Sequence, residues 1–139
     1  MRGGDGENIM NQTIEEKFTK AFIIKDKRER ILYELSSAKK RSAAIWRLFD
    51  LLDKNFVVFQ SQKYDEKELL AEIKKYTKSD DCYIIAGSEL DGKTLPLEEA
   101  VYKVLYGGAV CVLICDEKTV VAAEEYEYGA PNKAILHKN

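Results

Sequence analysis

The stretch YIIAGSELDGKTLPLEEAVYKVL, residues 83–105, holds the change from strand to helix on which the fold depends. Its first residues continue an apolar run, 82–87, with the composition of a buried strand. Asp91 and Gly92 form a turn dipeptide, and apolar residues then recur at helical spacing from Leu97. Glycines at 107 and 108 end the helical pattern, since glycine readily adopts left-handed backbone angles. The stretch therefore predicts a strand, a loop and a helix in succession.

Periodic patterns on both sides of this stretch predict the other elements. Before it, the predicted order is a helix at 13–24, a helical stripe at 31–52 that Ser36 and Ser37 bend or split, a strand at 56–60, and a helix capped by Asp65. After it come strands at 109–115 and 119–128, joined by a hairpin turn, and a last edge strand at 133–137. This order predicts one α/β (α+β) domain, residues 13–139. It would have an N-terminal helical segment, a mixed sheet of about four or five strands covered by helices, and a C-terminal β-hairpin.

The first twelve residues and the cysteines indicate the cellular compartment of the protein. The start of the chain, MRGGDGENIM, is polar and rich in glycine, so we expect residues 1–12 to be a disordered leader, with Met10 as a candidate natural start. It lacks the apolar core of a signal peptide, and no apolar run reaches the roughly 18 residues that span a bilayer. An odd number of cysteines in apolar runs fits free thiols in a reducing compartment. We therefore expect a cytoplasmic protein.

Residues 87–94 match the pattern G-x-x-x-x-G-K-[ST] of phosphate-binding loops. In such a loop the backbone N–H groups surround a phosphate, the lysine contacts it, and the threonine hydroxyl binds Mg²⁺. Asp116 ends an apolar run and could hold the same ion, as the acid of a Walker B strand does. Nucleotide binding is therefore one alternative for this chain. Its residues would be Gly87, Gly92, Lys93, Thr94 and Asp116.

Other features of the same loop favour an ordinary turn. Glu89 and Asp91 lie inside it, and their charges oppose binding of a polyphosphate. Pro96 fits the first turn of a helix, which places the helix start two or three residues later than a phosphate-binding loop requires. Only about 45 residues follow Lys93, too few for the remaining strands of a nucleotide-binding fold. The turn, with Thr94 as a helix cap, is the preferred interpretation.

The charges are unevenly distributed along the chain. Residues 25–47 contain eight basic and three acidic residues, whereas residues 80–128 contain eleven acidic and three basic residues. Basic side chains near Trp46 could bind nucleic acid, because lysine and arginine contact phosphates and tryptophan stacks on bases. They carry no recognition signature, so a solvated helix face is preferred and nucleic acid remains an alternative. The residues concerned are Lys39, Lys40, Arg41 and Arg47.

Side chains for catalysis or metal binding are scarce. His137 is the only histidine, which leaves no multi-histidine metal site and no well-placed general base. Cys111 and Cys115 lie on one face of a predicted strand, roughly 13 Å apart at about 3.3 Å per residue, too far for a shared metal. We therefore predict no catalytic residue, no metal site and no cofactor.

The C-terminal part of the chain contains the strongest binding pattern. Tyrosines and glutamates alternate on a predicted edge strand, at Glu124, Glu125, Tyr126, Glu127 and Tyr128. Tyrosine is enriched at interfaces, and surrounding carboxylates steer a basic partner. We therefore expect a protein without enzymatic activity that binds another macromolecule through this acidic surface. An inhibitor or neutraliser of a basic protein would be one example.

Overall fold

The structure, a computed structural model, describes the backbone of residues 5–63, 65–125 and 132–139, with side chains except those of residues 5–9 and 104–106. The helices are α1 Asp5–Phe22, α2 Arg28–Ser36, α3 Arg41–Leu51, α4 Glu66–Lys74 and α5 Leu97–Gly107. The strands are β1 Val57–Ser61, β2 Asp81–Ala86, β3 Thr94–Pro96, β4 Cys111–Asp116, β5 Thr119–Ala123 and β6 Lys133–His137. Single 3₁₀ turns occupy Lys25–Lys27 and Lys54–Phe56.

The strands form a six-stranded sheet in the order β1-β6-β5-β4-β2-β3. Every neighbouring pair is antiparallel, so the predicted mixed sheet of four or five strands is wrong in both respects. β3 was missed because three residues are too few to show a period. β6 lies between β1 and β5 and is not at an edge, in keeping with its four buried residues. The architecture is α+β in a single domain, as the sequence predicts at the level of class.

Helices cover both faces of the sheet. Tyr83 and Ile85 of β2 pack in one cluster with residues of α1, α2 and α3. Ile84 and Ala86, which alternate with them, pack in a second cluster with α4 and α5. Because both faces are buried, the central strands are apolar throughout rather than alternating. The prediction of buried strands from apolar runs is confirmed for β2 and β4.

Local signals placed several helix ends correctly. α2 ends at Ser36, and the C-capping Ser37 is extended, so the predicted split of the long stripe is confirmed. The carboxylate of Asp65 accepts a hydrogen bond of 3.0 Å from the amide of Glu68, which is the predicted cap of α4. Gly108 has φ 76° and ends α5 in the left-handed region.

The first helix differs from its prediction. α1 begins at Asp5, inside the segment whose composition predicts a disordered leader, and Thr13 lies within the helix instead of capping it. The amide Nδ2 of Asn11 lies 3.5 Å from the carbonyl oxygen of Gly92, a contact that composition cannot predict. In the ranges that the structure describes, no helix has the length and apolar content to cross a membrane.

Candidate functional site

The strand registers bring three loops to one end of the sheet. Ala86 pairs with Cys111, Cys111 with Ala123, and Ala123 with Lys133. The loop at 87–93, the residues before β4 and the residues after β5 therefore lie together. We call this region the acidic end, because Glu89 and Glu125 are exposed there and Glu124 is half-buried.

Glu124, just after β5, is hydrogen-bonded to Asn132, just before β6. Its Oε1 accepts hydrogen bonds from the amide of Asn132 at 3.1 Å and from Nδ2 of Asn132 at 2.7 Å. Tyr126, Glu127 and Tyr128 lie outside the described residues. β5 is paired on both sides, with β4 and β6, so its assignment to an edge is wrong. The acidic residues thus follow an internal strand and emerge at the end of the sheet.

Aromatic side chains are exposed around the acidic end. Trp46 of α3 is 41% exposed and packs against the start of the loop, where a Cβ atom on Gly87 would lie 2.9 Å from its Cζ2. Tyr102 of α5 is 54% exposed. It borders a cavity of about 230 Å³, whose wall also includes Glu89 and Leu90. Aromatic side chains are enriched at protein interfaces, and carboxylates around such a surface would steer a basic partner.

The loop at 87–93 is a closed turn rather than an open cradle. The amide of Gly87 donates to the carbonyl of Val110 at 3.0 Å, and the amide of Gly92 donates to that of Ile84 at 2.7 Å. The amides of Asp91 and Lys93 also donate to carbonyl groups of this loop. A phosphate-binding loop needs these N–H groups free to point at the anion. Phosphate binding here would first require several of these hydrogen bonds to break.

The residues of the nucleotide alternative do not converge. Thr94 begins β3 and not a helix, and α5 starts three residues later at Leu97, so Thr94 is not its cap. Thr94 and Asp116 border one cavity, between α1 and the sheet, whose lining excludes Gly87 and Gly92. Asp116 accepts hydrogen bonds from the Thr77 hydroxyl at 2.5 Å and the Lys118 amide at 2.8 Å. These contacts disfavour a metal-bound phosphate at this motif.

Sequence reasoning missed an ion network centred on Arg41. The guanidinium donates two hydrogen bonds to Glu15, both at 2.7 Å, and two to Asp91, at 2.7 and 2.9 Å. Its remaining N–H donates to the carbonyl of Leu35 at 2.9 Å. Tyr83 donates its hydroxyl to Glu15. All five donors of the guanidinium are satisfied, which indicates a structural role.

Titration within the network follows from these contacts. Burial lowers the pKa of Arg41, but the hydrogen bonds and charges of Glu15 and Asp91 outweigh it and hold the pKa above its ordinary value. Burial, together with the hydrogen bond to Glu15, raises the pKa of Tyr83. Both groups therefore keep their protons throughout the neutral range.

The four basic residues predicted for nucleic-acid binding make different contacts in the structure. Arg41 is engaged in the buried network, and Arg47 pairs with Glu34. Burial acts to raise the pKa of Glu34, but hydrogen bonds from two arginines outweigh it and hold this pKa below its usual range. The ammonium of Lys40 lies 5.3 Å from the centre of the Tyr33 ring, and Lys39 is exposed. Arg41 and Arg47 are thus paired with carboxylates, although Arg47 is itself exposed, and the two lysines are exposed as well.

The three thiols and the histidine have structural contacts within the fold. Cys82, Cys111 and Cys115 are free and buried in the cluster beneath α4 and α5. Nδ1 of His137 lies 2.9 Å from the hydroxyl of Thr119. Within the described part of the chain, no three potential metal ligands lie close enough together to hold an ion.

No family model, curated protein or solved structure matches this chain. The choice of a site therefore depends on the geometry and chemistry of the residues themselves.

Proposed function

We propose that the protein acts by binding another protein, of basic character, through its acidic end. The supporting observation is the register that carries Glu89 and Glu125 to the same end of the sheet, beside the exposed rings of Trp46 and Tyr102. Carboxylates steer a basic partner towards the surface, and aromatic side chains supply contact area at low entropic cost.

The sequence continues the same chemistry beyond the described residues. After Glu125 the chain reads Tyr126, Glu127 and Tyr128, so the acidic and aromatic composition extends into the connection between β5 and β6. The strands that precede both loops, β2 and β5, are buried on both faces and hold the loops in place. Such a scaffold suits a binding surface that is formed before the partner arrives.

The test compares two double charge reversals in a pull-down from cells that contain the natural partner. Glu89→Lys with Glu125→Lys should reduce recovery of the partner at least tenfold, since it reverses the charge of the acidic end. Asp26→Lys with Asp50→Lys changes net charge equally at exposed positions elsewhere and should leave recovery unchanged.

Circular dichroism should show that both variants are folded. Equal loss of the partner in both variants would indicate a general charge effect and contradict the proposal. Unchanged recovery with the first variant would place the binding surface elsewhere. A third variant, Tyr126→Ala, should also weaken binding of the partner if the tyrosines contribute contact area.

A further inference from the structure

A second candidate site lies at the opposite end of the sheet from the acidic end. There a cavity of about 250 Å³ lies between α1 and residues of β2, β4 and β5. Asp81 pairs with Pro96, and Asp116 pairs with Thr119, so these lining residues lie at the end of the strands remote from Ala86 and Ala123. The proposed protein-binding function does not use this cavity.

Most of the buried residues that line the cavity are apolar. Phe18 and Phe22 of α1 form one side, and Tyr83, Ile114 and Val120 of the sheet form the other. Apolar cavities of about 150 Å³ in proteins bind benzene. A cavity of about 250 Å³ therefore has room for one aromatic ring with a short chain attached. Binding of such a ring in the cavity is favourable because its apolar surface is removed from water.

The mouth of the cavity is acidic. Three carboxylates border it, those of Asp81, Asp116 and Glu117, against a single lysine among the lining residues, Lys17. Lys17 is already paired with Glu117 at 2.7 Å, and Asp116 is hydrogen-bonded to Thr77 and Lys118. Asp81 is exposed, and within the described residues no hydrogen bond to its carboxylate is found. Its charge is therefore available to a ligand.

We propose that this cavity binds a small amine with an apolar body of about one ring, whose ammonium group pairs with Asp81. The ring would enter between Phe18 and Val120 while the ammonium group stays at the mouth. A carboxylate of the same shape would be repelled by the acidic rim, because like charges at short range oppose each other in a partly buried site. The cavity thus selects for size through its walls and for charge through its rim.

The first experiment compares three probes of one shape. Phenethylamine, 3-phenylpropionate and 2-phenylethanol share a ring and a two-carbon spacer and differ mainly in charge. We expect phenethylamine to raise the Tm in a thermal scan and to shift the NMR signals of Ile14, Ile114 and Val120. The alcohol should bind at least tenfold more weakly and the carboxylate should not bind. Absence of any shift with the amine, or equal binding of the carboxylate, would overturn the proposal.

The second experiment uses matched variants and NMR titration with phenethylamine. Asp81→Asn should raise the Kd for the amine at least tenfold, whereas Asp80→Asn, an exposed neighbour outside the lining, should leave it unchanged. Ile14→Phe should block the cavity from α1. If Ile14→Phe fails to fold, Asp81→Asn alone decides. Binding that is retained in Asp81→Asn would overturn the assignment of the ammonium site.

Discussion

Arg41 joins three parts of the fold that are far apart in the sequence. It links α1 through Glu15, α3 through its own backbone, and the loop after β2 through Asp91. Side chains of Glu15 and Arg41 are only 9% and 23% exposed, so solvent screens the pair weakly. The sequence showed Arg41 as one member of a basic run. It could not show partners 26 and 50 residues away that neutralise it.

Replacement of Arg41 should therefore destabilise the fold. Arg41→Met leaves two carboxylates without their cation, and we expect it to lower the free energy of unfolding by about 3 kcal/mol. Arg47→Met removes a more exposed pair and should cost less than about 1 kcal/mol. Urea denaturation of the two variants measures the difference. Equal losses would show that the Arg41 network adds nothing beyond the single Arg47–Glu34 pair.

The same network should make the free energy of unfolding depend on pH in the alkaline range. The folded pKa of Tyr83 is raised above its ordinary value of 10.0, so its contribution is complete below about pH 10 and falls as pH rises beyond that value. Tyr83→Phe loses the hydrogen bond to Glu15 and should cost about 2 kcal/mol at pH 8.

Above about pH 10 the gap in stability between wild type and Tyr83→Phe should close, by at most about 1.4 kcal/mol per pH unit. Urea titrations at several values between about pH 8 and pH 11 measure this gap. A gap that stays constant over the whole range would contradict a raised pKa for Tyr83.

Among the helices and strands, the sequence predicted those features that depend on residues close together in the chain. Asp65, Ser37 and Gly108 mark helix ends, and each acts through contacts within a few residues. β3 and the position of β6 were missed because they depend on pairing with distant strands. The acidic residues of the G-x-x-x-x-G-K-[ST] match favoured a turn over a phosphate-binding loop, but the acceptors of its amides are a property of the folded loop and could not be predicted from the pattern.

The glycines of this region test that interpretation of the loop. Gly92 has φ 81°, so Gly92→Ala forces a side chain into the left-handed region and should cost about 1–2 kcal/mol. Gly107 lies in α5, and apart from its chain neighbours and the backbone of its own helix no described atom comes within 4 Å of the place where its Cβ would lie. Gly107→Ala should therefore stabilise the fold by about 0.5 kcal/mol. Chemical denaturation gives both values. A neutral Gly92→Ala would mean that the turn does not need its positive φ.

For the whole molecule, the central sheet separates two apolar layers. One layer holds α1, α2 and α3, the other α4 and α5. The sequence indicated the class and the buried strands, because apolar runs are sufficient for that. Strand order could not be predicted, since several similar apolar strands permit many pairings. The acidic end and the cavity beneath α1 both arise from that order, so neither could be located before the sheet was known.

The three thiols report whether the second layer opens separately from the rest. Burial raises the pKa of Cys111 to about 12, and a hydrogen bond with Cys82 together with burial raises that of Cys115. Because the thiolate is the reactive form, a disulfide reagent such as DTNB should label none of the three within minutes at pH 8.

In urea all three should react together at the rate of global unfolding. Ser88→Cys, at an exposed position, should react at once and confirms that the reagent is active. If one native thiol instead reacts well below the unfolding midpoint, the helices α4 and α5 open as a unit of lower stability, and the sheet is held mainly by the layer that contains Arg41.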